Sequence, residues 1–475
     1  MLRRSVLNLQ FAICNLQSAI CSLSAIFCAC GALAAAEKPG VNSADWPTER
    51  VQMRDGATYE GYIESQDEFW INLVQIQRVK GRPMFVVIRP IDRTKIVSIV
   101  PLDEQQRAEL RRRIDQFINR ARIEAGRMEA VRLDQVTRDG TQYQRYGGKW
   151  FALESTVEEA FTRRIIVRVE QIFTAYRQIL APRVRPQRPL RVVVFGAGGP
   201  YRAYLARLGL QIQNPACFIP GENLVVAGSE ATRFAAELAK VSAQNTQLQA
   251  ELKKLEREMP RRLAHAAQEM RDDGVPQDKI AKVLVVRRRQ FKEEIEAKRN
   301  ELARAGREND RLFQKVAGQM LQRLYHEAFH AYLENYVYPR AGHDVPVWLN
   351  EGLAQIFEAG LLEAETLRID APSRDALKAL KADLAGQQPL RLEKVLAADQ
   401  QAFLAGSQSN RLYAYAWGLA YYLTFEKHAL GSPALDQYMA PPAKNASPVE
   451  RFEKLVGAPL ANFEPAWREY ILNLR

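Results

Sequence analysis

Two stretches between residues 230 and 317 constrain the fold of this 475-residue chain more than any other feature. Their seam positions recur at alternating spacings of three and four, the pattern of helices that pack along one side. These positions are Leu238, Val241, Asn245, Leu248, Leu252, Leu255 and Met259, then Phe291, Ile295, Lys298, Leu302, Ala305, Asn309, Leu312 and Val316. Pro260 and the turn at residues 273–276 interrupt the pattern, so we predict an antiparallel coiled-coil hairpin. Such a hairpin is either a partner-binding arm or an insertion that projects into solvent.

The second stretch leads into His326-Glu327-Ala328-Phe329-His330, an H-E-x-x-H motif on a segment of good helix formers. Residues four apart share a face of a helix, so both imidazoles can point at one ion. Zinc accepts neutral imidazole nitrogen, and Glu327 can reach a water on the metal without ligating it. The motif therefore predicts His326 and His330 as Zn²⁺ ligands and Glu327 as the general base that deprotonates the water.

A third ligand is needed, because catalytic zinc typically has three protein ligands and an open position. Twenty residues separate His330 from Glu351, enough for the chain to leave one helix, turn and return on a second. We predict Glu351 as this ligand, with His343 or Asp344 in the intervening loop as the alternative. The metzincin pattern would place a histidine where Tyr336 stands.

Residues 326–330 and the block Trp348-Leu349-Asn350-Glu351-Gly352-Leu353-Ala354 together resemble the gluzincin metallopeptidases. The block is similar to that of the large zinc aminopeptidases and closer still to the peptidase-MA-like bacterial domains. The resemblance covers residues 138–475 apart from the hairpin, and it implies a zincin-like metallopeptidase domain. The Gly-x-Met-Glu-Asn motif that binds a free substrate amine in the aminopeptidases is absent, and the spacing to Glu351 differs from theirs by two residues. Both departures disfavour aminopeptidase activity.

A hydrolase also needs a donor for the oxyanion that forms during the reaction. Residues 411–423 are rich in aromatics and predict a helix. Domains of the resembling families carry a tyrosine a few residues before a Trp or Ser at this place, and Tyr413 matches it best, with Tyr415 second. An aromatic stripe at helical spacing also fits a role in the core, so both roles are open for Tyr413.

The rest of the chain divides by strand, turn and helix signals, and the fold class predicted is α+β. Residues 47–103 contain five short strand-like runs, which predict a small SH3-like β-barrel. Residues 104–137 predict a helical linker, and residues 138–229 the α/β N-terminal part of the zincin-like domain. Residues 318–475 predict its helical part with the active site.

The N-terminus is typical of an export signal. Arg3 and Arg4 precede an uncharged stretch that ends in three alanines, residues 34–36. This predicts a signal peptide over residues 1–36 and a location in the periplasm or cell envelope. An uncleaved membrane anchor and lipidation at Cys30 are alternatives. The net charge of +12 is compatible with nucleic acid, but the export signal and the absence of nucleic-acid-binding motifs argue against that partner.

These features predict an exported, Zn²⁺-dependent endopeptidase that cleaves peptide or protein substrates, with the hairpin available to a protein partner. The alternative is a non-catalytic zincin-fold scaffold of the cell envelope that uses the β-barrel and the coiled coil for partner contacts. The complete ligand set together with Glu327 favours the enzyme, because a purely structural zinc site does not need a base.

Overall fold

A computed structural model describes residues 46–78, 84–186, 188–363, 366–370, 372–443 and 446–474. The predicted signal peptide, membrane anchor and Cys30 lie outside the described residues. The fold is mixed α+β, as predicted, and helices predominate. Across the described ranges, no helix is both long enough and apolar enough to cross a membrane.

The first unit is a five-stranded antiparallel sheet in the order β4-β3-β2-β1-β5. Its strands are β1 Glu49–Met53, β2 Thr58–Gln66, β3 Trp70–Gln77, β4 Phe85–Asp92 and β5 Ile96–Val100. The five predicted strands are present, but the SH3-like barrel is not confirmed. A single turn of 3-10 helix carries the chain from β4 to β5, yet β5 pairs with β1 at the other side of the sheet. Within the described strands, no β4–β5 pairing closes a barrel.

Two helices follow this sheet, α1 Glu104–Ile118 and α2 Arg120–Ala130. Helix α1 buries Leu110 and Ile114 against Tyr62 and Val74 of the sheet. Helix α2 instead contacts the next unit, described below. The predicted helical linker therefore packs on both of its neighbours.

The second unit is a six-stranded sheet in the order β10-β11-β9-β8-β7-β6. Its strands are β6 Asp134–Arg138, β7 Thr141–Gly147, β8 Phe151–Ser155, β9 Leu190–Phe195, β10 Ala216–Ile219 and β11 Leu224–Gly228. Strands β8, β9 and β11 run parallel, and helices α3 Glu159–Ile179 and α4 Gly198–Arg207 connect them. The sheet begins at Asp134, four residues before the predicted start of this unit. Strand β10 pairs antiparallel with β11 and forms one edge of the sheet.

Two long helices then form a hairpin, α5 Ala231–Asp272 and α6 Gln277–Tyr332. Leu238, Leu248 and Leu255 of α5 and Ile295 of α6 are buried, which agrees with the seam positions. Pro260 lies inside α5 and does not end the helix, so the only turn is the one at residues 273–276. The 56 residues of α6 span about 84 Å at 1.5 Å per residue.

The base of the hairpin is held by buried charges where α2, α3 and α6 meet. Arg164 of α3 lies 3.3 Å from Glu124 of α2 and 3.5 Å from Asp310 of α6. Arg168 also pairs with Glu124, at 3.1 Å. Both arginines are nearly buried, so removing one partner would leave a charge without compensation. These contacts fix the direction in which α6 enters the body.

The C-terminal part is mainly helical, as predicted. Its elements are α7 Val347–Glu358, β12 Leu361–Glu363, β13 Thr366–Arg368, α8 Arg374–Leu384, α9 Leu392–Leu396, α10 Gln400–Ala405, α11 Ser409–Phe425, α12 Pro433–Met439, α13 Pro448–Val456 and α14 Leu460–Asn473. Helices α7 and α11 pack so closely that a Cβ on Gly352 would lie 2.2 Å from the Ala416 carbonyl oxygen. Only glycine fits there, which accounts for the glycine next to Glu351.

Candidate metal centre

Two helices bring the three predicted ligands together. His326 and His330 lie on α6, whose C-terminal end packs against β10 and β11, and Glu351 lies on the first turns of α7. His326 Nε2 is 3.2 Å from Glu351 Oε2, and His330 Nε2 is 3.7 Å from Glu351 Oε1. One potential ligand atom from each residue lies within 4.8 Å of the other two. The three side chains thus converge on one point.

Each imidazole is oriented by a second contact on its other nitrogen. His326 Nδ1 lies 3.0 Å from Glu358 Oε2, and His330 Nδ1 lies 2.8 Å from Asn350 Oδ1. With the proton on Nδ1, each ring donates an N–H to the oxygen, which leaves Nε2 of each ring free to bind a metal. The sequence reasoning missed Glu358 and Asn350. Glu358 could have been found, because it follows Glu351 by two helical turns on the same face of α7.

The charges at this site are unbalanced without a cation. Burial lowers the pKa of His326, but hydrogen bonds to Glu351 and Glu358 and the charge of Glu327 raise it to about 10. Burial raises the pKa of Glu351, but the two histidines more than offset this and hold it below its usual range. The carboxylates therefore hold a positive charge at this point, which a proton or a metal ion can supply.

Glu327 sits beside the cluster without joining it. Its Oε2 accepts a hydrogen bond of 2.9 Å from the backbone N–H of Phe218 on the edge strand β10. Glu327 is half-buried, and its charge contributes to the raised pKa values of His326 and Tyr413. The carboxylate is thus held by the sheet on one side and faces the cluster on the other. The Phe218 contact joins residues 109 positions apart, so no local sequence pattern predicts it.

The two candidate tyrosines on α11 differ in where they lie. The Tyr415 hydroxyl donates to Asp383 Oδ2 at 2.7 Å, and its ring is fully buried. Tyr413 instead lines a cavity together with His326. Burial, then the charges of Glu351 and Glu327, raises the pKa of Tyr413 well above its usual value. Its hydroxyl therefore keeps its proton at neutral pH and can donate it in a hydrogen bond. Of the two, Tyr413 alone is near the cluster.

The alternative third ligands lie elsewhere. His343 Nδ1 contacts the Pro339 carbonyl oxygen at 3.1 Å, and Asp344 pairs with Arg451 at 3.3 Å. Tyr336, at the metzincin position, is buried and donates to the carbonyl of Trp150. In the described part of the chain, only His326, His330 and Glu351 form a cluster of three potential ligands.

The donor set fits Zn²⁺. Two imidazole nitrogens and one carboxylate oxygen are the ligands of a catalytic zinc site that keeps its fourth position open. Two atoms 2.0–2.1 Å from a tetrahedral ion lie roughly 3.4 Å apart, and the 3.2 and 3.7 Å separations bracket this value. His326, His330 and Glu351 would hold the ion, with Glu358 and Asn350 orienting the two rings.

Comparison with known proteins finds one family model that matches the segment carrying this site. Residues 321–432 match the model of the family described as "Protein of unknown function (DUF1570)". The matched segment begins five residues before His326 and contains Glu327, Glu351 and Tyr413. Comparisons with curated proteins and with solved structures gave no match. The family match therefore covers the candidate metal centre and supplies no function for it.

Proposed function

We propose that this protein is a zinc-dependent metallohydrolase that cleaves peptide bonds. The observation that carries the proposal is the convergence of His326, His330 and Glu351, with Glu327 beside them in no ligand position. A structural zinc site is closed by four ligands. A three-ligand set with a carboxylate next to it is suited to catalysis.

Each residue has a distinct task in this proposal. A bound Zn²⁺ would supply a Lewis acid that polarises a carbonyl group and acidifies water. Glu327 accepts the proton of the attacking water and delivers it to the leaving amine, since the same carboxylate can act in both directions. Tyr413 donates its hydroxyl proton in a hydrogen bond to the oxyanion. Glu358 and Asn350 hold the imidazoles in one tautomer and one orientation.

The edge strand favours a peptide as the substrate. Strand β10 lies at the border of its sheet, and Phe218 directs its N–H away from β11 toward Glu327. An extended peptide can add to such an edge through main-chain hydrogen bonds. A peptide aligned along this edge would pass beside Glu327, which accepts the N–H of Phe218. The missing amine-binding motif favours cleavage within a chain over removal of its first residue.

The finer assignments belong to the same proposal. The sheet, the helix with H-E-x-x-H and the returning helix with Glu351 are compatible with a zincin-like fold of the gluzincin, peptidase-MA-like type. The hairpin of α5 and α6 is the proposed coiled-coil arm, and the N-terminal sheet is the proposed SH3-like unit. We propose export to the periplasm or cell envelope on the N-terminal signal.

A scaffold function is the second candidate, and one observation favours it. The N-terminal sheet exposes Phe69, Trp70, Phe85 and Ile88, with exposed fractions between 49 and 65%. Large exposed aromatic and aliphatic side chains of this kind, here spread along β3 and β4, occur on surfaces that contact a partner. In this alternative, the metal centre stabilises the fold, and the sheet and hairpin make the contacts.

Metal analysis and proteolysis of the same protein samples test the proposal. We expect the purified protein to contain one zinc per chain and to degrade casein or members of a peptide library. The Glu327→Gln variant should keep its zinc and lose turnover. A protein that binds zinc and cleaves nothing, with no effect of Glu327→Gln, would replace the enzyme with the scaffold.

A further inference from the structure

The cavity beside the metal centre has a polar side, next to the cluster, and an apolar side. Its volume is about 890 Å³, and His326, Glu358 and Tyr413 form the part of the wall nearest the cluster. Phe403 and Leu404 supply an apolar side. A cavity of this size accommodates several atoms of a substrate side chain or chain end. What it selects depends on the charged groups in its wall.

Arg323 is the cation nearest the metal cluster in this wall. It precedes His326 by three residues on α6, so both side chains lie on the same face of the helix and line the cavity. Its Nη1 is 3.6 Å from Glu358 Oε2, the oxygen that already contacts His326. This separation is that of an ion pair and is too long for a hydrogen bond. Among the described residues, Arg323 donates no hydrogen bond, and 42% of its side chain is exposed.

The remaining charges of the wall do not replace Arg323. Arg374 and Asp375 lie side by side at the start of α8, and both are exposed to solvent. Glu358 is occupied by His326. The other polar side chains of the wall are neutral: the amides of Asn214, Gln322, Gln355 and Asn410 and the hydroxyls of Ser373, Ser409 and Tyr413. A substrate group that enters the cavity therefore meets one cation with free N–H donors near the metal centre.

The charge balance supports the same reading. Glu327, Glu351 and Glu358 carry three negative charges, and a divalent ion offsets two of them. Arg323 offsets the third, so a carboxylate can approach without net repulsion. A guanidinium matches a carboxylate with two parallel N–H donors, which a lysine cannot do.

We propose that Arg323 binds a carboxylate of the substrate and makes the site selective for acidic peptides. The inference rests on the proposed function, because it assigns the cavity to the substrate. The carboxylate can come from an Asp or Glu side chain or from the C-terminus of the peptide. Both sources offer the same planar anion to Arg323.

Peptide binding and cleavage, measured separately, test this proposal. The probes are fluorescent Ala/Leu decapeptides with a single Glu, Gln or Lys moved through each position, capped at both ends, and the same set with a free C-terminus. Binding is measured by anisotropy on zinc-loaded Glu327→Gln protein, and cleavage on the wild type. Charge-assisted hydrogen bonds predict that Glu at one position, or a free C-terminus, improves binding and kcat/KM by roughly tenfold to a hundredfold.

Variants of Arg323 identify the residue responsible. In the Glu327→Gln background, Arg323→Gln should reduce the preference to less than about threefold, Arg323→Lys should keep part of it, and Arg323→Glu should turn it toward Lys. Arg391→Gln, an exposed arginine outside the cavity, should leave it unchanged. Zinc content is measured for each variant. If Arg323→Gln loses its metal, the preference of the Arg323→Lys protein for Glu peptides tests the proposal instead.

The outcomes separate this inference from the proposed function. A preference confined to the free C-terminus supports the proposal and assigns the source. Acidic peptides that bind selectively but are never cleaved refute the hydrolase and leave the role of Arg323 in place. The proposal is overturned if the protein with Arg323 intact binds no peptide, binds Glu and Gln peptides equally, or prefers Lys peptides. It is also overturned if the Arg323→Gln protein still prefers Glu peptides over Gln peptides.

Discussion

The two ends of helix α6 show how one helix serves two purposes. In the distal stretch 281–290, every residue except Leu284 is exposed, and Val285 and Val286 have exposed fractions of 70 and 55%. In the proximal stretch 320–332, most residues are buried, including His326. The distal stretch has one neighbour, α5, whereas the proximal stretch is enclosed by a sheet and by α7. The candidate metal centre lies at the enclosed end, where side chains are held from several sides.

The largest expected difference between the two ends is in turnover. Glu327→Gln keeps the size of the side chain but removes the base, so turnover should fall by roughly 10²–10⁴-fold while zinc content stays the same. Glu308→Gln makes the same change on the outer face of α6, where Glu308 pairs with Arg311 at 2.8 Å. In steady-state kinetics, the turnover of the two variants should therefore differ by roughly 10²–10⁴-fold. Equal rates would remove Glu327 from the mechanism.

The next largest effect concerns the residue that orients His326. Glu358→Gln keeps an oxygen near His326 Nδ1 but removes the charge, and changes of this kind typically cost 10- to 100-fold in metal affinity. Zinc affinity is measured by competition with a chelator. The same substitution at Glu159, a solvent-exposed residue of α3 that pairs with Arg163 at 2.7 Å, is the control and should leave affinity unchanged. An unchanged affinity in Glu358→Gln would mean that the carboxylate does not support the ligand.

Packing makes opposite predictions for Gly352 of α7 and Gly318 of α6. Gly352→Ala would place a Cβ 2.2 Å from the Ala416 carbonyl oxygen, so we expect a loss of about 1–3 kcal/mol in the free energy of unfolding. It should also weaken zinc binding, because Glu351 is the adjacent residue. Gly318→Ala in α6 meets no atom within 4 Å and should stabilise the protein by about 0.5–1 kcal/mol. Chemical denaturation measures both, and two shifts of the same sign would contradict the packing argument.

The smallest effect is expected at the distal end. Removing residues 260–272 and 277–290 shortens both arms by about the same length and keeps the turn at residues 273–276. The cut lies far from the metal ligands, so zinc affinity and turnover should change by no more than about twofold. A loss of zinc on shortening would show that the hairpin is part of the catalytic core. A lost interaction with unchanged zinc would instead identify the arm as a partner contact.

The sequence was informative wherever the determining contacts are local. The i, i+4 spacing of His326 and His330 and the heptads of the hairpin describe single helices, and the structure contains those helices. Closure of the N-terminal barrel depended on how β4 and β5 pair across the sheet, which local strand signals do not encode. Pro260 interrupts the heptad pattern in the sequence, but helix α5 continues through it to Asp272. The contact between Phe218 and Glu327 is a backbone donor on a distant strand, so no residue type marks it.

Because α6 is one continuous helix, it connects the tip of the hairpin mechanically to the metal ligands. His326 lies 49 residues from the first residue of this helix, a distance of about 74 Å along a straight axis. The pairing of Arg164 with Asp310 marks the fulcrum, since it clamps the helix where it leaves the body. The helix extends about 50 Å from Asp310 to its first residue and about 24 Å from Asp310 to His326, so a sideways force on the tip of a rigid helix would be about doubled at the metal ligands. A partner that binds the end of the hairpin would therefore act on the same helix that carries two of the three metal ligands.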